Sequence, residues 1–196
     1  MPKRRWPLFV LGACALALLG FSLLEIDRLS VVGYYGTALD SPVQVGDFTL
    51  TSAGGKAALS DWRGKYLLVF FGFTRCPDVC PLTLGRLAKT YRDLGEPEDV
   101  QVVMVSYDPE TDTPARLERY LEGFHPSFVG LTGSTSDIAK AARTFFVGYR
   151  QLGDGFGHTD TVALLDREGR MQLVYGQDKV ARIGDDLGKI LGRGRL

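Results

Sequence analysis

The chain has 196 residues, 45% of them hydrophobic and 23% charged, with 23 basic and 23 acidic side chains. This is globular composition at a length suited to one domain, and it excludes a disordered tail, a collagen-like repeat and a disulfide-dense miniprotein. The balanced charge argues against nucleic acid as a partner, because neutralising phosphates takes a surplus of Lys and Arg. All charges in residues 1–24 are positive (Lys3, Arg4, Arg5), so the remainder is mildly acidic.

Residues 6–24, Trp6 to Leu24, run without a charge. As a helix rising ~1.5 Å per residue they would span about 28 Å, close to the hydrocarbon thickness of a bilayer. Basic residues precede this run, and Glu25 and Asp27 follow it. The positive-inside rule then leaves the N-terminus in the cytoplasm and the rest of the chain in a periplasm, held by a single-pass helix in a bacterial-type inner membrane. A cleaved signal peptide has a shorter apolar region and a small-x-small site, which Glu25-Ile26-Asp27-Arg28 does not offer. Leu11-Gly12-Ala13-Cys14 has the outline of a lipoprotein box, but only a short apolar run precedes Cys14, which reads as a packed or lipid-facing residue. The expected organisation is an anchor over 1–24, a linker over 25–45 containing Gly33, Gly36, Ser41 and Pro42, and a domain over 46–196.

In that domain Phe48–Thr51 and the Gly54-Gly55 turn predict an N-terminal hairpin. Tyr66–Phe71 is a continuous apolar run, as expected of a central strand buried on both faces. It leads through Gly72-Phe73-Thr74-Arg75 to Cys76-Pro77-Asp78-Val79-Cys80-Pro81. Leu84, Leu87, Ala88, Tyr91 and Leu94 then recur at helical spacing, with Pro81 in the first turn and Gly95 as the stop. Val102–Ser106 predicts a second buried strand. Thr113-Pro114 caps a helix through Leu117, Tyr120 and Leu121, Phe128–Leu131 is a short strand, and 134–146 is a helix. Thr161–Asp166 and Met171–Tyr175 form a hairpin around Arg167-Glu168-Gly169, and Val180–Leu191 closes the chain as an amphipathic helix. Strands alternating with helices, then a hairpin and a last helix, describe an α/β sheet of mixed direction. A cysteine pair at its first strand-to-helix junction is the thioredoxin-like arrangement.

At a helix start, free N–H groups and the helix dipole favour negative charge on sulfur, so both thiols are expected to deprotonate readily. In an oxidising compartment such a pair forms a disulfide unless a metal or a reductant intervenes. Three residues separate Cys76 from Cys80, one more than in the usual thioredoxin motif. The wider bite permits two sulfurs to chelate a metal without forbidding a disulfide, and both readings stay open on spacing alone.

The chain has two histidines. His158 lies in the Gly-rich stretch 153–160, read as a mobile loop that enters the strand 161–166 from the side facing the cysteine motif. An imidazole there would supply nitrogen beside two thiolates, a donor set suited to copper or zinc, with Cu(I) favoured by thiolate and Cu(II) also accepted by imidazole. A closed zinc site would want a fourth ligand, for which Asp160 is a weak candidate. His125, directly after a helix, reads as a packing residue. Met1, Met104 and Met171 are scattered, which excludes a methionine-rich copper cluster.

Four ordered blocks together resemble the Sco/SenC family of copper chaperones: Gly72–Leu84 around the cysteines, Val105–Pro114, Phe124–Gly133, and Gly157-His158-Thr159 with Leu165–Arg170. The similarity spans about residues 45–190. It implies a thioredoxin-like domain with an N-terminal β-hairpin extension, tethered to the inner membrane. Such a domain would bind one copper ion, Cu(I) or Cu(II), through Cys76, Cys80 and His158. It would deliver that ion to the dinuclear copper site of cytochrome c oxidase, or keep the thiols of that site reduced, with a thiol reductant as a further partner. Asp108 is implied as a supporting residue, and Asp78, inside the cysteine motif, joins it as a candidate. The alternative is a membrane-anchored thiol–disulfide oxidoreductase in which one cysteine attacks and the other resolves. A peroxidase is the weaker third reading, since it would want a lone cysteine activated by an arginine such as Arg75.

Overall fold

The computed structural model describes residues 33–152, 155–158 and 160–193. The expected anchor and the first part of the linker lie outside these residues. Among the described residues, no helix is long and apolar enough to cross a membrane.

Among the described residues, ten strands and four α-helices follow in order: β1 (Thr37–Gln44), β2 (Thr49–Ser52), β3 (Gly55–Ala58), β4 (Tyr66–Gly72), α1 (Val79–Asp93), β5 (Val100–Ser106), α2 (Pro114–Glu122), β6 (Val129–Leu131), α3 (Thr135–Thr144), β7 (Tyr149–Leu152), β8 (Gly155–His158), β9 (Thr161–Leu165), β10 (Arg170–Gly176) and α4 (Ile183–Arg193). Six strands form the main sheet in the order β1-β10-β9-β4-β5-β6. β4, β5 and β6 run parallel, and β9 is antiparallel to β4. The crossovers through α1 and α2 step outward in the same direction, so the right-handed rule puts both helices on one face.

All seven residues of β4 are buried, which explains why its sequence is apolar throughout rather than alternating. Successive side chains still point to opposite faces. Phe70 and Gly72 look toward Cys80 on α1, while Phe71 meets Phe145, the residue after α3, with ring centroids 5.3 Å apart. The helix starts are built as the sequence predicts. The Thr113 side chain accepts the Arg116 N–H ahead of Pro114, and Ser134 accepts the Asp137 N–H. The β9–β10 turn is held by buried Asp166, which accepts from the backbone N–H groups of Glu168 and Arg170. Gly169 closes that turn at φ +73°, where a side chain would be strained.

The expected hairpin of 48–58 is present as β2 paired with β3. Two stretches differ from the sequence reading. Residues 37–44, assigned there to the linker, are an edge strand on β10. Their exposure leaves almost no apolar alternation to read; the strand exists because β10 offers it a ladder. The Gly-rich stretch before β9, expected as a loop, pairs β7 with β8, setting Tyr149 opposite His158 and Arg150 opposite Gly157. Strand geometry tolerates glycine without advertising it, so this pairing left no periodicity in the sequence.

Candidate metal centre

The parallel strands β4 and β5 end side by side, with Gly72 opposite Ser106. The chain enters β9 from this same end, since Phe70 on β4 pairs with Val162. One edge of the sheet therefore gathers three segments: 73–80 after β4, 107–112 after β5, and the approach to β9 that carries His158 and Asp160. Distance in sequence concealed this grouping; topology produces it.

Both cysteines are free thiols, and they differ in setting. Cys76 is half-buried, and its Sγ accepts the Cys80 backbone N–H at 3.4 Å. Cys80, in the first turn of α1, is fully buried. A Cβ on Gly72 would stand 2.9 Å from the Cys80 sulfur, so glycine there is what lets the sulfur seat against the strand. The expectation that both thiols deprotonate readily is corrected at Cys80. Burial pushes its thiol well above the usual range, and the neighbouring Cys76 and Asp160 raise it further, against one backbone hydrogen bond at Phe73 that lowers it. Desolvation of the charged form outweighs the helix-start effect.

The loop before Cys76 is clamped from β5 and α2. Asp112, fully buried, accepts the Thr74 N–H at 2.9 Å and the Ser106 hydroxyl at 2.6 Å through Oδ2. Its Oδ1 accepts the Thr74 hydroxyl at 2.5 Å. Arg116 lies 3.6 Å from that oxygen and donates to Thr74 Oγ1 at 2.8 Å. Asp108, 4% exposed, holds Arg75 through a 2.7 Å ion pair and accepts the Thr111 N–H. Arg75, the activating arginine that a peroxidase would need, is thus turned to Asp108. Asp78 is exposed and makes no side-chain cap on α1.

Tyr120, on α2, is half-buried. Burial pushes its phenol up to about 12, with the charges of Cys80, Cys76 and Asp112 adding to the effect. Its hydroxyl oxygen is buried and has no hydrogen-bond partner among the described residues.

Cys76, Cys80 and Asp108 are therefore at one end of the sheet. The backbone of His158 ends β8 two residues before Asp160, while its side chain is outside what the structure describes. Among the described residues no group of three His, Cys, Asp or Glu side chains stands ready for a metal ion. His125 is a packing residue, buried against Tyr91 and Phe128 and bonded to Ser127 through Nδ1. Sequence reasoning missed Thr74, Ser106 and Asp112 as a clamp. Asp112 stands four residues after Asp108 in a turn, and nothing in a single sequence marks a turn carboxylate as buried.

A family model described as SCO1/SenC matches residues 37–191. The human mitochondrial protein SCO2 homolog is 37% identical over 167 residues, covering 80% of this chain and 63% of that protein. This chain spans 57% of the corresponding mouse protein. Apo Sco1 from Thermus thermophilus is 43% identical with a TM-score of 0.73, covering 82% of this chain and 99% of that one. ScoI from Arabidopsis thaliana with copper bound is 32% identical with a TM-score of 0.67, covering 74% and 98%. BsSco, described as a member of the Sco family of cytochrome c oxidase assembly proteins and as having a disulfide switch, is 25% identical with a TM-score of 0.64, covering 79% and 95%. The family match over residues 37–191, with 43% identity and a TM-score of 0.73 to a solved Sco1, makes this chain a thioredoxin-like member of the SCO1/SenC family.

Proposed function

We propose that this protein is a copper chaperone in the assembly of cytochrome c oxidase, with Cys76, Cys80 and His158 as the copper ligands. The observation that carries the reading is the pair of reduced sulfurs at the end of β4, beside the segment through which His158 leads into β9. Sco relatives hold copper, and soft thiolates with one imidazole suit that ion. A three-ligand site open on one side favours transfer, because an acceptor's ligands can replace the donors one at a time. Binding requires both thiols deprotonated, so uptake releases protons and weakens under oxidation and at low pH. The acceptor is the copper-site subunit of the oxidase. The uncharged run 6–24 would tether the domain on the periplasmic side of a bacterial-type inner membrane, within reach of that acceptor.

Copper titration of the protein under reducing conditions tests this. Wild type should take up one equivalent, Cys76→Ser and Cys80→Ser should lose it, and His158→Ala should bind more weakly with an altered spectrum. Unchanged uptake in His158→Ala would remove the three-ligand site.

A second reading, thiol–disulfide exchange, is favoured by the asymmetry of the pair. An accessible Cys76 and a buried Cys80 are the arrangement of an attacking and a resolving thiol. Reduction of a partner disulfide by metal-free protein would support it, and a pair inert toward disulfides would eliminate it. The two activities are compatible, since acceptor thiols must be reduced before they can be loaded.

A further inference from the structure

β6 is an outer strand of the main sheet, and its free edge is covered over only part of its length. In an extended strand the N–H and C=O of one residue point to the same side, and those of the next residue to the opposite side. Thr132, just after β6, donates its N–H to Thr51 at 2.9 Å and accepts the Thr51 N–H at 2.7 Å. The N–H and C=O of Gly130, two residues earlier, therefore point the same way, outward from β5. The antiparallel register that sets Thr51 against Thr132 would place Ala53 opposite Gly130. β2 ends before that pair can form, because Ala53 and Gly54 make the turn that joins Ser52 to its partner Gly55. Gly130 is buried, packed so closely by α2 that a Cβ there would lie 2.6 Å from that of Leu117. Its N–H and C=O nonetheless have no partner among the described residues. Buried peptide groups are almost always paired. These face a cleft of about 290 Å³, with Ser52–Gly54 on one wall and Ser127–Gly130 on the other. Its charged lining residues are Glu118 and Glu122, one turn apart on α2, both exposed and neither in an ion pair among the described residues.

We propose that this edge is a docking site for an extended, basic segment of a partner protein. The segment takes the place that β2 leaves: its backbone pairs with the N–H and C=O of Gly130, and a Lys or Arg on it meets Glu118 and Glu122. Pairing along the main chain supplies affinity, and the side chains beside it supply selection. An open edge accepts any extended chain, whereas two uncommitted carboxylates attract a basic one and repel an acidic one. The same charges disfavour a second copy, since an edge-to-edge pair about a twofold axis would bring four carboxylates together.

The site is independent of the copper reading, so metal-free protein serves for the test. The probe is a synthetic peptide, Thr-Val-Lys-Val-Lys-Val-Thr, titrated into the full chain and followed by NMR. The Gly130 amide should shift downfield and become protected from exchange, while Val129 and Leu131, which face β5, should change less. Glu118→Gln combined with Glu122→Gln should weaken binding about fivefold, as expected for two exposed ion pairs. Ala53→Lys, which sets a cation in the cleft from an exposed turn, should compete with the peptide and weaken binding as well. A peptide with Glu in place of Lys should bind far more weakly. Equal binding of the two peptides, or a Gly130 amide that stays in place at millimolar peptide, overturns the proposal. A concentration-dependent shift of the same amide without peptide would assign the edge to a second copy and overturn it too.

Discussion

Gly72 and Cys80 are the closest-fitted pair in the cysteine loop. An added methyl at Gly72 would meet the Phe70 ring at 2.8 Å and the Cys80 sulfur at 2.9 Å, both on packed elements with little room to yield. Gly72→Ala should therefore cost about 2 kcal/mol in a melt and displace the sulfur, reducing copper affinity, as overpacking in a tight site does. The two thiols should also react in a fixed order. Iodoacetamide added to the reduced native protein should label Cys76 first, and Cys80 should be modified only as the domain unfolds, which mass mapping of timed samples will read. The raised pKa of Cys80 carries a sign for stability. The folded state keeps its proton where the unfolded chain would lose it, so this contribution is whole below the ordinary thiol value of 9.0 and is lost as pH rises above it. Stability of the metal-free protein should fall steadily as pH rises above about 9, and Cys80→Ser should flatten that decline; an identical slope in the variant would refute the assignment.

At the scale of elements, the site is made by one loop holding another. The turn after β5 carries Asp112, which ties down Thr74 by backbone and side chain while bonding Ser106 at the end of β5. Replacing Asp112 by Ala leaves a buried N–H and two hydroxyls without their acceptor, at a cost of about 3 kcal/mol. The loss should be felt twice, as a lower melting temperature and as weaker copper binding, because the loop before Cys76 is released. An Asp112→Ala variant of unchanged stability would show that the loop holds itself. This clamp was illegible in the sequence, where 74 and 112 are 38 residues apart. The helix cap at Thr113 was legible because a cap joins residues three apart.

Across the whole molecule, the other charged anchor lies at the first residues of the described domain. Asp186 on α4, with no exposed surface, accepts the N–H groups of Tyr35 and Gly36 and the hydroxyl of Tyr175. Arg182 lies over the Tyr35 ring at 3.6 Å. The chain is thereby fastened to the closing helix just before it enters β1. Asp186→Ala should destabilise the domain by about 3 kcal/mol through three unpaired donors, yet leave copper stoichiometry at the wild-type value. A stoichiometric loss of copper in a folded Asp186→Ala protein would mean that this anchor and the cysteine loop are coupled.

The sequence by itself determined what is local or periodic: the buried run of β4, the Thr113 cap, the β9–β10 turn, the cysteine spacing and the four blocks by which the family was recognised. These are carried by residues within a few positions of one another, where backbone geometry and hydrophobic periodicity act directly. The tertiary structure alone decided that 37–44 would be a strand, that the glycine-rich stretch would pair, that Cys80 would be buried and hard to deprotonate, and that Asp112 would clamp the loop before Cys76. Each of these depends on what another part of the chain brings alongside, a ladder partner, a desolvating neighbour or an unused donor, and such groups become neighbours only when the sheet closes.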